Sequence, residues 1–108
     1  MAKIAIQNGH WQDPLGNAIA LGELTLQLTQ DAKINSGGQV CGGVVVGIAL
    51  DSSGDASANV WPNDQLTPST TQYQAKVYTA QGQLVWGPQY ETITGSGPFN
   101  LDTWTPTQ

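Results

Sequence analysis

The sequence predicts an all-β fold: an antiparallel β-sandwich of about seven or eight strands, in a single domain over residues 1–108. Three observations carry that expectation. Thirteen Gly and six Pro interrupt the chain so often that no window of about twelve residues is both breaker-free and amphipathic at helical spacing. Apolar and polar residues alternate at period two instead, most cleanly in Glu23-Leu24-Thr25-Leu26-Gln27-Leu28. Turn signals recur at intervals of roughly 8 to 12 residues, the habit of a sandwich.

Ile4 and Ile6 alternate with Lys3, Ala5 and Gln7, and a turn follows at Asp13-Pro14-Leu15-Gly16-Asn17. In the next strand Leu24, Leu26 and Leu28 share one face and polar residues the other, so it is half buried and half wet. Residues 31–39 read as a loop ending in Ser36-Gly37-Gly38. Val44 to Leu50 is different in kind. Val44, Val46, Ile48 and Leu50 would line one face and Val45, Gly47 and Ala49 the other, with no polar residue on either. Such a strand is expected to be covered on both sides.

Asp51-Ser52-Ser53-Gly54-Asp55 is a turn, Ala56 to Trp61 a short strand, and Trp61-Pro62-Asn63-Asp64 breaks the pattern. Gln72 to Thr79 is a strand with Tyr73, Ala75 and Val77 on one face. A hairpin turn at Ala80-Gln81-Gly82-Gln83 leads into Leu84-Val85-Trp86. After a break at Gly87-Pro88 the strand Tyr90 to Thr94 follows. Gly95-Ser96-Gly97-Pro98 then sets off a last segment, Phe99 to Trp104, before the polar stretch Thr105-Pro106-Thr107-Gln108.

Charge narrows the partners. Three Lys and no Arg stand against six Asp and two Glu, a formal net charge of -5. Nucleic acid and anionic membrane both require clustered cations, so neither is expected as a partner. Disorder is not expected either, with 39% apolar residues and four Trp. A lone cysteine, Cys41, allows no internal disulfide. Met1-Ala2-Lys3 leads directly into alternation without an apolar signal core. The longest run of apolar and Gly residues, Val40 to Leu50, is about half the length of a membrane-crossing helix. Synthesis in a cytoplasm is expected, the chain staying soluble until it assembles or is released.

The segment Leu66-Thr67-Pro68-Ser69-Thr70-Thr71-Gln72-Tyr73-Gln74-Ala75-Lys76-Val77-Tyr78 resembles the part of fibronectin type III and related immunoglobulin-like sandwiches where a Leu-x-Pro loop precedes a strand opening with Tyr. The resemblance implies that Tyr73 is a structural corner whose hydroxyl bonds the backbone near Leu66 to Pro68. The chain departs from the fibronectin pattern in two places. Residues 24–28 hold no Trp, and the part after Gly82 is longer than a usual last strand. In its Gly/Thr/Gln richness and Gly-Asp and Gly-Pro turns, the chain is also similar to small immunoglobulin-like proteins of tailed bacteriophages, which decorate capsids or build tails and fibres. That similarity implies a non-enzymatic structural protein located in the virion after synthesis in the bacterial host cytoplasm. Its implied partners are other virion proteins, of capsid or tail, and its own copies.

No catalytic set, cofactor or metal site is expected. His10 and Cys41 are the single His and Cys. They read as a turn-edge imidazole and a small buried thiol rather than a nucleophile pair, and they leave a zinc site two ligands short. Asp51 and Asp55 superficially suggest a calcium loop, but only the ends of that turn are acidic, and Asx-turn chemistry accounts for both. Asp64 is expected to start the turn before Leu66. No motif supports a paired-carboxylate glycosidase.

Two features remain. Trp11, Trp61, Trp86 and Trp104 sit beside Gly, Pro, Asn or Thr near strand ends. Exposed, they would stack on sugar faces as in a carbohydrate-binding or adhesion module, the alternative function. Buried, they would plug the sandwich or line a subunit contact. Open strand edges need guarding, and three Lys are few for seven or eight strands. Val44, Val45, Val46, Ile48 and Ala49 are therefore the candidate interface, covered by another polypeptide unless the loop 31–39 or the tail after Gly95 folds across them.

Overall fold

The computed structural model describes residues 3–106; Met1 and Ala2, and the last two residues of the polar stretch, Thr107 and Gln108, lie outside them. The strands in chain order are β1 (Ile4–Asn8), β2 (Glu23–Leu28), β3 (Ala32–Ile34), β4 (Gln39–Val40) and β5 (Val45–Ala49). They continue with β6 (Ala56–Val60), β7 (Leu66–Thr67), β8 (Tyr73–Tyr78), β9 (Leu84–Glu91) and β10 (Phe99–Asn100). Single 3-10 turns cover Asn63–Gln65 and Leu101–Thr103. The fold is all-β. Its sheets run β10-β1-β6, β5-β2-β8-β9 and β4-β3-β7, and every strand pairing is antiparallel except β1 with β10.

Alternation in β2 and β8 builds the centre of the core. Leu24 stands opposite Val77, Leu26 opposite Ala75 and Leu28 opposite Tyr73, and all six side chains are buried. Ile4 and Ile6 of β1, Leu66, Ile93 and Leu101 belong to the same cluster. Non-local strand pairing of this kind removes apolar area from water on one face and leaves Thr25, Gln27, Gln74 and Lys76 half-exposed on the other.

Among the described residues ten strands replace the seven or eight expected, because three are two-residue pairings too short to show an alternation. Residues 31–39 are not a plain loop: β3 and β4 form a small hairpin, with β3 also pairing β7. The strand expected over Val44 to Leu50 spans Val45–Ala49. The strand expected over Tyr90 to Thr94 ends at Glu91. The segment Phe99 to Trp104 is half strand and half 3-10 turn.

Gly87-Pro88 does not break the chain's last long strand. β9 runs through it by bulging, with register shifts against β8 between Ala75 and Val77 and between Val77 and Tyr78. Gly87 has φ +89°, and a Cβ there would collide with the Ala75 carbonyl oxygen. Only glycine tolerates both conditions.

Asn63 closes the lower seam of the core. Its backbone N–H donates to the Ile93 carbonyl at 2.6 Å. Its side-chain oxygen accepts the Ile93 N–H at 2.8 Å, and its amide nitrogen donates to the Thr71 hydroxyl at 3.2 Å. A fully buried amide with its bonds made ties three loops that no sheet joins.

Candidate functional site

Two concavities lie at opposite ends of β1. Lys3, just before the strand, lines one and Gly9, just after it, lines the other, which separates them by about 20 Å at strand rise.

The first is an apolar groove of about 370 Å³. It is lined by Leu26, Leu28 and Tyr73 from β2 and β8, by Val44 and Val46 at β5, and by Val40, Cys41, Val60 and Trp61. Val46 stands opposite Leu26, so it points toward the interior as Ile48 does. Ile48 is 7% exposed, whereas Val46 is 46% exposed. The sheets part between those two residues. Val44 and Val45 are 58% and 57% exposed.

The alternative that the chain itself covers Val44–Leu50 on both faces is therefore corrected. Neither the 31–39 hairpin nor the tail after Gly95 seals it, and its three valines meet solvent. The outward face is not a bare apolar sheet either, because β2 sets Glu23, Thr25 and Gln27 beside Ala49, Gly47 and Val45. The opening is on the inner rim. Ile48 belongs to the core rather than to the interface candidates, while Ala49 is exposed. Cys41 is exposed on the groove rim, not a buried thiol.

Strand edges differ in their protection. β5 and β9 are the two edges of the four-stranded sheet. β9 carries Pro88 and two register shifts, both of which discourage further pairing. β5 pairs β2 without any shift and holds no charge or proline.

Tyr73 also borders the groove. Its hydroxyl donates to the Trp61 carbonyl at 2.6 Å, reaching further up the chain than the Leu66-to-Pro68 backbone expected for a corner tyrosine. Leu66 is buried in the core, and Pro68 is exposed. Burial pushes the Tyr73 phenol up to about 12.

The second concavity, about 460 Å³, gathers Trp11, Trp86 and Trp104 with His10, Gln12 and Asp102. Trp86 and Trp104 are nearly parallel, 8° apart in plane with centroids 6.2 Å apart. Trp11 meets both edge-on, at 5.5 and 6.5 Å. Trp11 is 8% exposed and the other two are half-buried. Trp61 stands apart, on the groove wall. The four Trp thus divide three to one, and Trp11 is part of the core.

Backbone geometry sets this notch. Asn8, Gly9 and His10 all have positive φ, at 69°, 111° and 46°. A Cβ on Gly9 would fall on the Trp11 ring, so the ring lies flush on that peptide. The strained turn is held by two carboxylates: Gly9 N–H donates to Asp102 and His10 N–H to Asp55, each at 2.9 Å. His10 Nδ1 lies 2.8 and 2.9 Å from the two Asp102 oxygens, and His10 Nε2 is 3.6 Å from Asp55. The hydrogen bond with Asp102 raises the His10 imidazole above its usual range, and the same bond lowers Asp102. Asp102 is itself oriented by Asn100, whose side-chain oxygen accepts its N–H at 2.9 Å. Trp104 is fixed by donating from Nε1 to the Thr92 carbonyl at 3.0 Å.

The Asp51 turn behaves as Asx chemistry requires, with one carboxylate oxygen accepting the N–H of Ser53 at 2.7 Å and of Asp55 at 3.1 Å. Asp64 accepts from the Gly95 N–H at 3.0 Å. His10 and Cys41 line different concavities. Sequence reasoning missed the partnership of His10 with Asp102, because the two are joined only by the folded chain.

Comparison with known proteins finds no matching family model, no matching curated protein and no matching solved structure.

Proposed function

We propose that this chain is a non-enzymatic structural protein of a bacteriophage virion, an immunoglobulin-like sandwich that docks on other capsid or tail proteins through the groove beside β5. The carrying observation is Val46: inward by register, yet 46% exposed. An interior position left wet at an unguarded edge suits an occupant of one kind, an extended apolar segment of a neighbouring virion protein. Added along β5, such a segment would satisfy the free backbone groups of that edge and seat alternate side chains between Val46 and Val60. The virion setting rests on the resemblance of the chain's composition and turns to phage sandwich proteins.

The test is recovery on particles. The chain is expected by mass spectrometry in virions purified from its source, and added wild-type chain is expected to co-sediment with particles that lack it. Val46→Lys should abolish co-sedimentation while leaving the far-UV circular dichroism unchanged. Unchanged co-sedimentation of that variant would remove the groove from the reading. Light scattering on the isolated chain separates the partner: a concentration-dependent dimer abolished by Val46→Lys would make a second copy the occupant instead.

A further inference from the structure

We infer that the notch formed by Trp86, Trp104, His10, Gln12 and Asp102 is a binding site for a neutral pyranose sugar. It is separate from the docking groove and independent of it.

Five observations converge. The cavity, about 460 Å³, lies within the roughly 300–1,000 Å³ of small-ligand sites. Its apolar surface includes two half-buried indoles, Trp86 and Trp104, stacked with centroids 6.2 Å apart, and the part of an indole left exposed is a surface that the C–H face of a pyranose covers. Its polar surface comes from a carboxylate, an imidazole and an amide, a set able to accept and donate to adjacent sugar hydroxyls. These groups are fixed before any ligand arrives. Asn100 orients Asp102, Asp102 orients His10, and Thr92 holds the Trp104 ring. Gly9 and His10, which line it, belong to a run of three positive-φ residues that begins at Asn8; strain of that kind persists where surrounding contacts over-determine it and concentrates at ligand clamps.

Charge selects within the sugars. Asp102 lines the notch, Asp55 lies 3.6 Å from His10 Nε2, and the chain carries a net -5. Uronates and sialosides are repelled by that field, and neutral sugars are not. A quaternary ammonium would also suit an acidic aromatic site. It is disfavoured here because the rings pack against one another, with centroids 5.5 to 6.5 Å apart, instead of standing apart around a cation.

The experiment titrates the full chain with maltotriose, cellotriose, chitotriose and β-1,4-galactotriose, and with choline chloride, following tryptophan fluorescence and the indole N–H signals by NMR. At least one trisaccharide is expected to shift the Trp86 and Trp104 signals saturably, with a Kd of about 1 mM or tighter. Trp104→Ala and Asp102→Asn should each weaken binding by about tenfold or more. Gln12→Ala, on an exposed side chain that donates to the His10 carbonyl, should weaken it about threefold without altering the fold. No shift with any trisaccharide at about 10 mM, a response to choline alone, or saccharide binding that survives both Asp102→Asn and Gln12→Ala would each overturn the assignment. Val46→Lys, which tests the groove, should leave sugar binding intact.

Discussion

Asn63 and Ile93 hold each other twice, each giving its backbone N–H to an oxygen of the other, at 2.6 and 2.8 Å. One of those oxygens is a side-chain amide, so the pair is a strand-like ladder rung made by a residue outside any strand. Asn63→Ala removes the acceptor of a buried N–H and the donor to Thr71 together. The expected loss is about 3 kcal/mol in urea denaturation. Asn63→Asp keeps an acceptor for Ile93 but buries a charge, and should be at least as damaging near neutral pH.

Tyr73→Phe tests the groove corner. Losing the hydroxyl leaves the Trp61 carbonyl without that donor and is expected to cost about 1–2 kcal/mol. Alkaline titration gives a second readout. The folded phenol sits at about 12 against an ordinary value of 10.0. The folded state therefore keeps a proton that the unfolded chain has released, and stability should fall as pH rises through that interval. Ultraviolet titration should show this tyrosine ionising late, and Tyr73→Phe should abolish the late phase.

The His10–Asp102 pair gives opposite signs on its two flanks. His10 is raised by its bond to Asp102, so its contribution is complete below 6.5 and is lost as pH rises through the higher folded value. Asp102 is lowered by the same bond, so its contribution is present above 3.8 and is lost as pH falls through the lower folded value. Both partners are charged between these limits. NMR of the His10 ring protons should report the raised value, and Asp102→Asn should return it toward 6.5.

Glu91 is buried at the end of β9, with Oε2 unpartnered among the described residues. Burial pushes its carboxyl up. The folded state then holds a proton longer than the unfolded chain, so stability should decline as pH rises from the usual carboxylate range through the raised value. Glu91→Gln should flatten that dependence and gain on the order of 1 kcal/mol at neutral pH, measured by thermal unfolding across pH.

Much of the fold was legible because its strands are amphipathic. Leu24, Leu26 and Leu28 announce β2, and Tyr73, Ala75 and Val77 announce β8, through a periodicity that burial later uses. β3 and β4 were not legible: three and two residues are too few to display alternation, and their pairing depends on β7, which is distant in the chain. Gly87-Pro88 reads as a stop because local propensity ignores a partner strand able to accommodate a bulge. Val44 to Leu50 stands out in the sequence as a run without a polar residue, but the face left open is decided by how far the sheets diverge, which no local pattern encodes. The same holds for the notch. Trp11, Trp86 and Trp104 come from three separate segments, and His10 meets Asp102 from the far side of the sequence.

The parallel pairing of β1 with β10 has a consequence for biogenesis. Ile6 lies between Ala58 on one side and Phe99 on the other, so β1 gains its second neighbour only once the distant β10 has been made. Closing so wide a loop is entropically slow, and Trp104 and Asp102 arrive only after it closes. A nascent chain stalled before Phe99 should therefore leave β1 without its second neighbour and be more protease-sensitive around that strand than a chain in which β10 has paired.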